Sequence, residues 1–398
     1  MKVFFAFGLI IFLAFSGYHL SFRKFKVPLF AHKFYLTGLE FLFLGLLLGP
    51  QFLNILDNKT CEGLAPATAL LLGWIGMLFG FQFELAKLKR FPFVFFEAAI
   101  LEGLLTLLIV FSGIYISLPF FIELPDHIKI CVSIVLASAA ACTAQTGLAF
   151  VSKKNIGQYQ ATVRLLRYLS SIDGLIAMLA LLFLFMYFPA RHSLVIQNFI
   201  LGSDTFIAAA SFAGIIILFN LFLIHRKDQK ELALIIIGMT IFISGFASAM
   251  HFSPLVATFF VGVLLVNLTP EKEKIFNTLV SIEKPVYLLL LVFLGSTWHI
   301  ESVWIFGIAA GYCLLRFLGK VISGAAISKL GAKMKTYPGG IGFGLIEQGG
   351  LPLAILYDFQ QGFAFEAANT IVGIALISII YNDLLSPNLL NLLFKKRT

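Results

Sequence analysis

Seven ionisable side chains stand within apolar stretches long enough to cross a bilayer: Glu97, Glu102, Asp173, Arg316, Lys320, Glu347 and Asp383. A charge at that depth is costly, so it turns inward, finds a partner and marks a path for ions or protons. Glu40 and Glu84 lie near the ends of their stretches, where reaching the interface is easy. Asp173 follows the start of its stretch by seven residues, and Lys320 precedes the end of its own by seven. At the rise of a helix both sit roughly 10 Å into the hydrocarbon from the same side. An acid and a base at one depth neutralise each other, either as a structural ion pair or as part of an ion path. Because buried pairs stabilise little, the second reading is the sharper one. Glu102 and Glu347 are deeper, roughly 16 Å into their stretches and near the midplane.

The elements that carry these residues follow from composition. Of 398 residues, 60% are apolar and only 12% charged, 45 are Phe, and mean hydropathy is +0.96. Soluble domains are about half apolar and a quarter charged, so a soluble enzyme, a secreted disulfide scaffold and a disordered chain are excluded. The runs are near-continuous over about 20 residues, which excludes a barrel and indicates an all-α polytopic membrane protein. Thirteen spans are expected, at about 3–20, 34–56, 66–84, 91–117, 128–150, 166–188, 203–224, 231–250, 254–269, 279–300, 303–327, 336–357 and 367–393. The connections are short, and no soluble domain is expected within the single transmembrane domain 1–398.

Lys and Arg set the orientation. Of 29, 23 fall in loops and a tail on one side, four on the other, and Arg316 and Lys320 inside a span. That asymmetry places the first side in the cytoplasm and the N-terminus outside. The net charge of +9 is thus a topology signal, and no nucleic-acid partner is expected. The stretch 3–20 reads either as a retained span or as a cleaved signal peptide; Arg23-Lys24-Phe25-Lys26 behind it is a strong cytoplasmic anchor. Cys61, Cys131, Cys142 and Cys313 show no paired spacing and read as small core residues. Seven histidines near span ends form no metal or nucleophile constellation, so neither an enzyme nor a cofactor is expected.

Two spans are compositionally unlike the rest. Ala137-Ser-Ala-Ala-Ala-Cys-Thr-Ala-Gln-Thr-Gly147 has no large aliphatic residue, and Gly339 to Pro352 is dense in glycine. Small-residue runs serve close helix packing. At this density they also predict interrupted helices, which at membrane depth survive only where backbone is buried or lines a wet cavity. Interrupted spans in corresponding places of two halves point to a transport site. Here the broken fifth span precedes the acid-bearing sixth, and the base-bearing eleventh precedes the broken twelfth. Their odd separation makes the two copies an inverted repeat.

At these residues the chain resembles the monovalent cation:proton antiporter superfamily, in particular bacterial sodium/proton and Kef-type potassium/proton exchangers. The resemblance rests on Leu46-Leu-Leu-Leu-Gly-Pro50, on the run from Gly73 to Glu84, and on Ala137-Ser138 with Cys142-Thr143-Ala144. It rests further on Ser253 to Asn267 and on Leu318-Gly-Lys320. It implies about 13 transmembrane helices in an inverted-repeat fold with two crossing broken helices. Spans 1–3 and 8–10 (about 1–90 and 231–300) would form a dimerisation scaffold, span 7 a linker, and spans 4–6 and 11–13 (about 91–188 and 303–393) an ion-translocating core. It also implies alternating-access exchange of Na⁺ or K⁺ for H⁺, in a homodimer in a bacterial inner membrane. Asp173 and Thr143 would bind the cation or proton and Lys320 would compensate the charge. Glu347, Glu102, Ser138, Gln145, Ser171 and Arg316 would support the site or supply a second acid.

The sequence departs from the family at two places. Members carry Asp-Asp, Asn-Asp or Gln-Asp on the sixth span, whereas this chain reads Ser171-Ile-Asp173-Gly174, which leaves one carboxylate there. The twelfth span has Glu347-Gln348-Gly349-Gly350 in place of Arg-Gly-Glu. Glu347 then either bonds backbone N–H groups freed by the break or replaces the missing acid. These losses keep two other functions open: a transport-inactive sensor or scaffold, and an elevator-type symporter for an organic anion.

Overall fold

The computed structural model describes residues 2–20, 38–144, 160–188, 229–298, 303–330, 334–363, 365 and 367–394, and every regular element among them is helical. The principal helices are α1 (Lys2–Leu20), α2 (Leu39–Leu48), α3 (Ala65–Gly80), α4 (Phe93–Ser117), α5 (Asp126–Ala141) and α6 (Gln160–Tyr187). They continue as α7 (Gln229–Ala249), α8 (Pro254–Leu268), α9 (Lys272–Ser296), α10 (Trp304–Ile327), α11 (Gly350–Gly362) and α12 (Ala368–Phe394). Seven helices among the described residues are long and apolar enough to cross a membrane. In chain order α1–α6 take the places of the first six expected spans and α7–α12 those of the eighth to thirteenth. The expected seventh, 203–224, lies outside the described residues.

Boundaries move where local chemistry demands it. The second span was expected to reach residue 56, but α2 ends at Leu48. Gly49 is extended and Pro50 has no N–H to continue the ladder. The chain doubles back instead, with Leu56 N donating to Leu48 O at 2.8 Å. In the twelfth span the expected interruption takes the form of a 3₁₀ turn at Ile341–Leu345, four non-helical residues and then α11.

The chain divides into two compact units. The first comprises Met1–Ala86, Phe185–His299 and Tyr357–Asn369. Its helices touch backbone to backbone through glycine: a Cβ on Gly76 would stand 2.2 Å from Leu255 O, and one on Gly45 2.1 Å from Val292 O. In hydrocarbon, where apolar burial no longer drives association, such close approach supplies the packing energy. Ser253 caps α8 by accepting from Val256 N at 2.9 Å, and its hydroxyl donates to the buried carboxylate of Asp358. Outside the spans, Asp57 accepts from Lys2 Nζ at 2.5 Å and Thr60 N at 2.8 Å. These donors hold its carboxyl well below the usual carboxylate range. A depressed carboxyl contributes stability that is lost as pH falls through it, and solvent screens this exposed pair.

The second unit comprises Lys87–Leu184, Ile300–Leu356 and Thr370–Thr398. It holds α4, α5, α6, α10 and α12 together with both breaks. The 3₁₀ turn lies directly on α10: a Cβ on Gly342 would meet Lys320 O at 2.1 Å, and one on Gly324 would meet Gly342 N at 2.4 Å. Side-chain-free backbone at both positions is what lets the second break reach Lys320.

Candidate functional site

Helix α5 ends at Ala141, where Cys142 turns to extended backbone and Thr143 and Ala144 follow without helical bonds. The two breaks meet here: Ala144 N donates to Glu347 O at 2.9 Å, and Thr143 Oγ1 lies 3.3 Å from Leu345 O. Ending a helix strands its last carbonyls, and a buried carbonyl needs a donor. Two cations of α10, one turn apart, supply the donors. Arg316 donates through Nε to Ala140 O at 2.9 Å, through Nη2 to Cys142 O at 3.0 Å and Leu345 O at 3.3 Å, and through Nη1 to Ile346 O at 2.6 Å. Lys320 Nζ donates to Ala141 O at 2.6 Å. Positive charge at a helix C-terminus also complements the dipole there.

The opposite polarity holds where α11 begins. Gln348 N, exposed by the break, donates to Asp383 Oδ1 at 2.9 Å. Gln348 Nε2 donates to Ala139 O at 3.0 Å, and its Oε1 accepts from Asn382 Nδ2 at 3.0 Å. A carboxyl acceptor at the helix start and cations at the helix end together satisfy non-helical backbone in an apolar surrounding.

Lys320 also holds the acids. Its Nζ stands 2.9 Å from Asp173 Oδ2 and 3.0 Å from Glu102 Oε1, with all three side chains fully buried. With Ala141 O these acceptors match the three protons of an ammonium. The common depth of Asp173 and Lys320 in the sequence thus corresponds to direct contact. Asp173 Oδ2 accepts in addition from Thr143 Oγ1 at 2.8 Å. Glu102 Oε1 accepts from Thr106 Oγ1 and Ser323 Oγ, each at 3.1 Å. Asp173 Oδ1 and Glu102 Oε2 are buried without a hydrogen-bond partner. An unmatched oxygen on each of two adjacent acids is a place for a proton or a small cation.

The remaining expected residues are distributed as follows. Ser138 Oγ donates to Ile134 O one turn back, and Ser171 Oγ to Arg167 O. Gln145 lies outside the described residues. Glu97 is exposed on the first turns of α4. Glu347 joins the crossing through its main-chain carbonyl. One N–H freed by the break, that of Gln348, is held by Asp383. Sequence reading missed Thr106, Ser323, Gln348 and Asn382, whose types are ordinary in a span and whose roles depend on neighbours from other helices. It also missed Asp358, which stands just past the expected end of the twelfth span.

The packing of Gly342 on Lys320 gives a direct prediction. Gly342→Ala places a methyl where Lys320 O now is, so the 3₁₀ turn must lift off α10. Overpacking of this kind costs about 1–3 kcal/mol. Thermal unfolding in detergent should fall accordingly and cation-coupled flux should drop with it; an unchanged melting temperature would show that the turn yields freely.

Residues 10–387 match the family model described as sodium/hydrogen exchanger, transmembrane. Among solved structures the chain is similar to the sodium proton antiporter MjNhaP1 from Methanocaldococcus jannaschii, determined at pH 8, with 19% identity and a TM-score of 0.64. The similarity covers 98% of this chain and 96% of that one, and it shows the inverted-repeat antiporter fold. No curated protein matches the chain.

Proposed function

The chain belongs to the transmembrane sodium/hydrogen exchanger family, and from that premise we propose that it exchanges Na⁺ or K⁺ for H⁺ by alternating access, with Asp173 as the shared carrier. It is a multi-pass membrane protein and a transporter rather than an enzyme. One observation carries the reading: Asp173 is fully buried where the two breaks meet, with one oxygen engaged by Lys320 and Thr143 and the other unpartnered. A hard monovalent cation is satisfied by such oxygens, and so is a proton, so the two compete for one group. Lys320 keeps the carboxylate affordable in hydrocarbon, and Thr143 offers a neutral oxygen beside it.

We assign ion carriage to the second compact unit and a dimerisation scaffold to the first. The split of Lys and Arg supports an inner-membrane orientation with the N-terminus outside. Purified protein in proteoliposomes with an imposed ΔpH tests the function. Addition of Na⁺ or K⁺ should dissipate the gradient, and the cation effective at the lower concentration is the physiological one. Failure of every monovalent cation to do so would overturn antiport.

A further inference from the structure

The sixth span carries one acid, yet the site contains two, and the second comes from a different helix. Glu102 projects from α4 to the same ammonium that holds Asp173. The two carboxyl groups are close enough for one to donate to the other once either is protonated. Asp173 Oδ1 faces α4, 3.4 Å from where a Cβ on Gly103 would be. Holding Lys320 uses only Oε1 of Glu102; its Oε2 is buried without a partner in the same site as the unpartnered Asp173 Oδ1, and that pairing calls for an explanation.

The charge count is then decisive. With all three groups ionised, Glu102, Asp173 and Lys320 sum to minus one in a fully buried site. Arg316 pairs with neither acid: its donors serve four carbonyls, and its charge acts on Glu102 and Asp383 only from beyond ion-pair distance. One proton shared by the two carboxyls neutralises the site, and so does one monovalent cation. When Asp173 turns to a cation, Lys320 keeps Glu102 and Ala141 O as partners, so its own proton stays in place.

We propose that Glu102 and Asp173 act as one two-carboxylate unit that holds either a single proton or a single monovalent cation, so that exchange is one for one and moves no net charge. This rests on the antiport reading and fixes its stoichiometry. In the cation-loading step the cation enters between carboxylate oxygens and the shared proton leaves to water; no other bond changes, and charge balances.

Two measurements test it. In detergent, a pH-stat should count one proton released per Na⁺ or K⁺ bound, a readout independent of transport. In proteoliposomes, exchange should generate no membrane potential on a voltage-sensitive dye. Glu102→Gln leaves a neutral Asp173–Lys320 pair, so cation entry would bury an uncompensated charge. Binding should weaken by about a hundredfold, the scale set by an unpaired buried charge. Glu102→Asp keeps the charge and should keep the one-proton count, which separates charge from folding. A potential generated by the wild-type protein, or an unchanged cation affinity and proton count in a folded Glu102→Gln variant, would overturn the inference while leaving antiport intact. Absence of any cation-coupled proton release or flux would overturn both.

Discussion

Asp173→Asn should abolish cation-coupled proton flux while the protein still inserts and folds. The substitution keeps the volume and removes the titratable carboxyl that stands where the two breaks meet. Folding is spared for a reason visible in the site: Lys320 retains Glu102 at 3.0 Å and Ala141 O at 2.6 Å. What remains is a neutral pair, so the surplus negative charge disappears and nothing is left for a cation to balance. The ΔpH assay should therefore read only background leak with either cation. Thermal stability in detergent should stay near that of the wild type. Full exchange in this variant would move the carrier to Glu102 alone and remove Asp173 from the mechanism.

Arg316→Gln should do the reverse, destroying the fold before transport can be asked about. The guanidinium closes four carbonyls stranded by the two breaks, those of Ala140, Cys142, Leu345 and Ile346. A glutamine amide has two donors on a shorter stem, so at least two buried carbonyls lose their partner. Each such loss costs roughly 1–3 kcal/mol, and the total should reach about 3–5 kcal/mol once the half-buried Asp383 also loses the neighbouring charge. A melting curve in detergent, or the yield of monodisperse protein, reads the loss. Arg316→Lys keeps the charge without the fork and should fall in between. A fully stable Arg316→Gln variant would mean that water or another donor reaches these carbonyls.

The contrast between these two residues shows how far the sequence reaches. Hydropathy over 20-residue windows determines the spans, because hydrocarbon admits few other arrangements of backbone. Small-residue and glycine density marks where the fifth and twelfth spans break: the fifth stays helical through its alanines to Ala141, and the glycines of the twelfth lower its helix propensity. Equal depth along two apolar runs was sufficient to pair Asp173 with Lys320. Arg316 is different: in the sequence it reads as a substitute partner for Asp173, because it stands one turn from Lys320 on the same face. Its true partners are carbonyls that have no donor only because α5 stops at Ala141 and the second break is a 3₁₀ turn, and no sequence pattern says which carbonyls those will be. Glu102 was placed deeper than Lys320 by counting residues along a straight helix. Depth along one axis ignores tilt and the reach of two long side chains, and those decide that a fourth-span acid touches an eleventh-span base. Likewise Asp383, not Glu347, holds the freed N–H of Gln348, since that bond depends on how α12 passes the start of α11. The sequence by itself determined the membrane class, the breaks and one acid–base pair, which are properties of single segments. The tertiary structure alone decided which of the candidate acids, Glu102 or Glu347, reaches Lys320, and which donors serve the broken ends, because each requires atoms from different helices to arrive at one point.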